Sequence, residues 1–115
     1  MAEPFVRVAD TTELAEGEMM LVHAHGRDLL LARVEGQFYA MDNECTHAGE
    51  PLHQGKLRRY KVQCPLHWGV FDVRTGEVLE EPPWMKSITY PAKVDGDSVL
   101  VGPPPPKGVP FIARA

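Results

Sequence analysis

Two short segments constrain this chain more than anything else in it: Cys45-Thr46-His47 and Cys64-Pro65-Leu66-His67, which together read C-x-H-x16-C-x2-H. Each segment offers one sulfur and one imidazole, so a fold that uses them must bring two loops to one point. Two thiolates and two imidazoles can hold a tetrahedral zinc. They can equally hold a two-iron, two-sulfide cluster in which one iron takes both cysteines and the other both histidines. The one-residue gap between Cys45 and His47 is tight for two ligands of a single ion and suits a larger object whose metal atoms are separated. The chain has only these 2 cysteines in 115 residues, which excludes a multi-disulfide scaffold and a four-thiolate site. Of its 5 histidines, three stand outside the pattern. His53 reads as a solvated loop histidine, and His23 and His25 alternate as on a strand and read as exposed.

The remainder predicts short strands. Eleven prolines and ten glycines interrupt any long amphipathic helix and favour strands joined by defined turns. Residues 19–24 and 28–34, apolar runs around the polar His25-Gly26-Arg27, predict a hairpin. Glu35-Gly36 predicts a two-residue turn into a strand containing Gln37-Phe38-Tyr39. Arg74-Thr75-Gly76-Glu77 predicts a turn between 70–73 and 78–79, and residues 93–101 predict a hairpin centred on Asp95-Gly96. Residues 11–18 predict one helical turn with Thr11 or Thr12 as its N-cap. The segment from Asn43 to about Pro83 lacks regular hydrophobic repeats and reads as a loop-built insertion in a sheet scaffold. Twelve Lys and Arg against sixteen Asp and Glu give a net charge of −4, which argues against a nucleic-acid or anionic-membrane partner. The opening MAEPFVRVADTTE has no long apolar run, so the cytoplasm, where thiols stay reduced, is the expected location.

The motif and its flanks resemble a known family. Cys45-Thr46-His47-Ala48-Gly49, Leu52, Gly55, the run Cys64-Pro65-Leu66-His67-Trp68-Gly69-Val70-Phe71-Asp72, Arg74-Thr75-Gly76 and the flanking strands resemble the Rieske [2Fe-2S] ferredoxins. Within that family the chain is most similar to the soluble ferredoxin components of bacterial aromatic-ring dioxygenase systems. The resemblance runs nearly to Val101. It implies an all-β fold: a Rieske-type antiparallel β-sandwich with a loop-rich cluster-binding subdomain. The implied domain covers 1–101, with its cluster lobe at about 43–83, followed by a Pro-rich C-terminal tail at 102–115. The implied cofactor is one [2Fe-2S] cluster, with Cys45 and Cys64 on one iron and His47 and His67 on the other. The implied function is one-electron transfer from a flavin-dependent or other ferredoxin reductase to a terminal oxygenase. No catalytic side chain is required, since the iron centre carries the chemistry.

Departures from the pattern of high-potential relatives carry information. Glu50 and Leu66 stand where those relatives have a bracing disulfide, and Gly69 and Phe71 where they have a Ser and a Tyr whose hydroxyls hydrogen-bond to sulfur. Rieske centres span roughly −150 to +300 mV, and the loss of those donors predicts a potential near the lower limit. Lys56, Arg58, Arg59 and Lys61 form a basic stretch, read either as a steering surface for an acidic partner or as a solvated strand and turn with no partner. Trp68 reads as a docking or covering residue beside His67. Trp84, after Pro82-Pro83, reads as packing the return from the cluster loops. Two other functional classes remain open at this point: a small Rieske subunit of an oxidoreductase such as nitrite reductase, and a zinc-stabilised binding module. A complete oxygenase would need a second domain for mononuclear iron, for which 115 residues leave no space.

Overall fold

A computed structural model describes residues 5–44, 51–65, 69–80 and 87–103 of the chain. Four strands follow one another in the first part: β1 (Val6–Asp10), β2 (Met19–Ala24), β3 (Arg27–Val34) and β4 (Gln37–Asp42). Four short ones come next, β5 (Lys56–Arg58), β6 (Lys61–Gln63), β7 (Val70–Asp72) and β8 (Val78–Glu80). β9 (Thr89–Tyr90), β10 (Ala92–Asp95) and β11 (Ser98–Val101) complete the set. They form three sheets, ordered β1-β11-β10, β2-β3-β4-β9 and β5-β6-β7-β8. Every pairing among them is antiparallel.

The central sheet is covered on both faces. Leu29, Leu30, Leu31 and Ala32 of β3 are each 0% exposed, an uninterrupted apolar run of the kind a doubly covered strand requires. Because side chains alternate along a strand, Leu29 and Leu31 pack with Phe38, Ala40, Val99 and Val101. Leu30 and Ala32 point the other way and pack with Met41, Leu52, Val62, Cys64 and Phe71. The first layer is the sandwich contact with the small β1-β11-β10 sheet. The second attaches the lobe that carries Cys64.

The predicted hairpins form, with two adjustments. His25-Gly26 and Glu35-Gly36 are two-residue turns with both central residues at positive φ, the type I′ geometry that matches strand twist. The β10-β11 turn is Gly96-Asp97, one residue later than Asp95-Gly96, because Asp95 pairs with Ser98. Gly96 takes φ 62° at the first central position, as a type II′ turn needs. The single 3-10 turn at Thr11–Glu13 is capped by Asp10, not by Thr11 or Thr12. The Asp10 carboxylate accepts from the Thr12 backbone N–H and hydroxyl, and Glu13 reaches back to the Asp10 N–H; that reciprocal box shifts the start by one residue. His25 sits in the turn rather than on a strand, so it does not share a face with His23. It is half-buried, with Nε2 3.0 Å from the Val101 carbonyl. His23 is exposed, as expected, and pairs with Asp28 at 2.8 Å.

Residues 43–83 were expected to be loop-built. The lobe has a sheet of its own: the expected hairpin around Arg74-Thr75-Gly76-Glu77 forms as β7-β8, and β5 and β6, three residues each, are too short for alternation to register in the sequence.

Candidate cluster site

The two halves of the motif sit on neighbouring loop roots. At the first root, β4 runs into Asn43 and Glu44, Glu44 forms an antiparallel bridge with Pro51, and the Leu52 N–H donates to the Asn43 carbonyl at 2.6 Å. Residues 45–50 lie between these two segments in sequence. At the second root, β6 and β7 form a hairpin whose Gln63 and Val70 pair, and the Cys64 N–H donates to the Gly69 carbonyl at 2.8 Å. Residues 65–68 lie between these two positions in sequence.

A close approach holds the roots together. The single turn Leu52–Gln54 ends at Gly55, where a Cβ would lie 1.8 Å from the Gln63 carbonyl oxygen. Only glycine lets the exit of the first loop rest against the strand that delivers Cys64. A second such contact lies behind the lobe. Gly76, at φ 81°, would place a Cβ 2.2 Å from the Ser87 carbonyl oxygen, and its own carbonyl accepts the Ser87 N–H at 2.8 Å. Beyond it the chain returns to the central sheet, where the Asp42 N–H donates to the Ile88 carbonyl.

Of the four expected ligands, Cys64 is placed: it is 3% exposed and packs with Leu52, Val62, Phe71 and Val73. Cys45, His47 and His67 lie outside the described residues, as do Glu50, Leu66, Trp68, Pro82, Pro83 and Trp84. Among the described residues no three His, Cys, Asp or Glu side chains come together. Cys64 fits an iron-sulfur cluster on chemical grounds, because it is a soft sulfur donor in a dry, apolar setting that shields a thiolate-iron bond from water. Gly69 and Phe71, both buried, bring no hydroxyl to that setting.

His53 was expected to be solvated and is not. It is half-buried, with Nδ1 2.9 Å from Asn43 Nδ2 and its backbone N–H donating to Asn43 Oδ1 at 2.8 Å. Asn43 itself is buried and went unnoticed in the sequence, since an Asn before a loop reads as ordinary turn chemistry. Asp72, also buried, accepts from the Arg74 backbone and guanidinium, and its hydrogen bond raises the Arg74 pKa further. The guanidinium stacks 4.0 Å over the Tyr60 ring, whose edge meets Tyr39 of β4. The Arg59-Glu35 pair at 2.7 Å joins the same two hairpins, and it holds the Glu35 carboxyl below its usual range. Arg59 is thereby engaged. Lys56, Arg58 and Lys61 stay exposed on one face of the β5-β6 hairpin, with no ion pair among the described residues. Among those residues, too, no helix is long and apolar enough to cross a membrane.

Comparison with known proteins agrees with this geometry. The family model described as the Rieske [2Fe-2S] domain matches residues 4–91. The ferredoxin component of the naphthalene 1,2-dioxygenase system of Pseudomonas aeruginosa is 39% identical over 101 residues, 88% of this chain and 97% of that protein. The solved ferredoxin of carbazole 1,9a-dioxygenase from Nocardioides aromaticivorans IC177 superposes with a TM-score of 0.84 at 34% identity, covering 88% of this chain and 99% of that one. A chain in the complex of reduced oxygenase and oxidized ferredoxin of carbazole 1,9a-dioxygenase superposes with a TM-score of 0.81 at 29% identity, covering 85% of this chain and 92% of that one. With a buried cysteine on closely joined loop roots and a family match across most of its length, this chain belongs to the Rieske [2Fe-2S] domain family, and its cofactor is a Rieske-type [2Fe-2S] cluster.

Proposed function

We propose that the chain is a one-electron carrier that takes electrons from a ferredoxin reductase and passes them to the terminal oxygenase of a ring-hydroxylating dioxygenase system. The observation that carries this reading is coverage: the chain spans 97% of a dioxygenase ferredoxin component and 99% of a solved dioxygenase ferredoxin. We assign Cys45, His47, Cys64 and His67 as the cluster ligands. That set supplies the two thiolates and two imidazoles that a Rieske cluster takes, and the buried, apolar surroundings of Cys64 support its part in it. When bound, the cluster supplies reversible one-electron chemistry. The protein's own contribution is to hold two loops in register, to exclude water from Cys64 and to offer no hydroxyl at positions 69 and 71, which favours a low potential.

The domain is read as 1–101, followed by the tail at 102–115; β11 ends at Val101, and Gly102, which is buried, still donates its N–H to the Pro91 carbonyl at 2.9 Å. The cytoplasm remains the proposed location, a compartment in which thiols stay reduced. Lys56, Arg58 and Lys61 give an acidic chain one basic face, and we place the contact with an acidic partner surface there.

Purified protein is expected to be red-brown and, on reduction, to give a Rieske-type electron paramagnetic resonance (EPR) signal. NADH with the reductase of a naphthalene dioxygenase system should reduce it, and the oxygenase of that system should reoxidise it. The reduction rate should fall as salt rises, since exposed charges are screened. A colourless, zinc-bearing protein ends the carrier reading. A salt-independent rate ends the basic-face reading alone.

A further inference from the structure

Residues 45–50, which carry Cys45 and His47, lie in sequence between Glu44 and Pro51, and one residue, Asn43, joins the segments on either side of them. Asn43 is 5% exposed. Its carbonyl accepts the Leu52 N–H at 2.6 Å, and its Oδ1 accepts the His53 N–H at 2.8 Å. A backbone N–H can only donate, so this bond fixes the amide orientation and turns Nδ2 toward the His53 ring, 2.9 Å from Nδ1. An amide NH2 likewise only donates, so Nδ1 is the acceptor and the ring proton sits on Nε2. The Asn43 N–H, in turn, donates to the Asp28 carbonyl at 3.2 Å, at the start of β3. The turn Leu52–Gln54 begins at Pro51, which makes no side-chain cap. Asn43 therefore satisfies an orphan first-turn N–H from across the loop.

We propose that Asn43 and His53 are positioning residues for the first ligand loop: together they clamp its two ends and set how firmly Cys45 and His47 are held. The inference rests on the ligand assignment above. Its energetic basis is that removing either partner leaves a buried polar group without its hydrogen bond, a penalty larger than the net worth of the bond itself. An Asn is required because both an acceptor and a donor are used. At position 53 the ring supplies an acceptor that no aliphatic side chain can replace.

The test compares holoprotein carrying His53→Leu or His53→Asn with wild type under anaerobic challenge by excess EDTA. Visible absorbance, iron and sulfide content and the EPR spectrum of the reduced protein are followed. His53→Leu is expected to lose its cluster about tenfold faster, corresponding to about 1.4 kcal/mol on the barrier, and to shift the g values. His53→Asn, whose Oδ1 falls near the place of Nδ1, is expected to restore both rate and spectrum. A space-filling role would show the opposite order, since Leu keeps more of the apolar bulk. Wild-type behaviour of His53→Leu overturns the clamp, as does His53→Asn being equally labile. Mass-spectrometric hydrogen exchange on the wild-type holoprotein gives a measure independent of whether variants fold. The Leu52 and His53 amides are expected to exchange as slowly as those of β4, and exchange at the rate of free peptide overturns the proposal. Iron and sulfide content together with the EPR spectrum of the reduced wild type tests the mixed thiolate-imidazole ligation by itself, whereas variant ratios and exchange test the clamp.

Discussion

Phe71 is fully buried in the same apolar cluster as Cys64, so a hydroxyl added there arrives in a place without water. A donor to a ligand sulfur favours the reduced cluster. Phe71→Tyr is therefore expected to raise the midpoint potential by about 60 mV, the one-electron equivalent of a hydrogen bond worth about 1.4 kcal/mol. An EPR-monitored redox titration checks this, and an unchanged potential removes the link between the missing hydroxyl and a low potential. Tyr90 carries a different test. Burial, and then its hydrogen bond to Asp42 at 2.6 Å, push its phenol well above the usual range. The folded state thus binds this proton more tightly than the unfolded chain, whose tyrosine titrates near about pH 10. Its contribution is complete below that pH and is lost as pH rises toward the folded-state value. Tyr90→Phe should flatten the alkaline decline in urea stability and cost about 1 kcal/mol at neutral pH. At this scale residue type and spacing marked out the four proposed ligands. Asn43 was not legible, because its role arises from burial and from a partner ten residues away.

Between elements, the contact most sensitive to sequence is the one at Gly55. The atom a side chain would strike there is a backbone oxygen of β6, which cannot rotate aside as the end of a side chain can. Gly55→Ala is expected to displace the Leu52–Gln54 turn from β6 and to cost about 3 kcal/mol, as overpacking of a rigid contact does. Urea denaturation and the iron content of the purified protein measure it, and wild-type values for both count against the close approach. The long hairpins were legible because β2, β3 and β4 run for six to eight residues and end in recognisable turns. β7 and β8 were legible through the turn at Arg74-Thr75-Gly76-Glu77 that joins them, whereas in β5 and β6 three residues show less than two periods of an alternating pattern.

Across the whole molecule, β3 joins two cores that answer to different mutations. Leu30 faces the cluster lobe and Leu31 the small sheet, and both are 0% exposed. Leu30→Ala and Leu31→Ala should each cost about 2–5 kcal/mol, but only Leu30→Ala should also hasten cluster loss under chelator. Equal cluster lability in the two variants would contradict the two-core arrangement. The run Leu29-Leu30-Leu31 announced a buried strand without saying what covered each side. By itself the sequence determined the short-strand character and the low supply of sulfur donors, which depend on residue chemistry and spacing, and its resemblance to the Rieske family added the cofactor class and the sandwich fold. Only the tertiary structure decided that the lobe has its own sheet, that Gly55 lies against Gln63 and that Asn43 and His53 close the first loop. The last two are contacts between residues 8 and 10 positions apart, fixed by the packing of both lobes on β3 and β4 and unrelated to any local pattern.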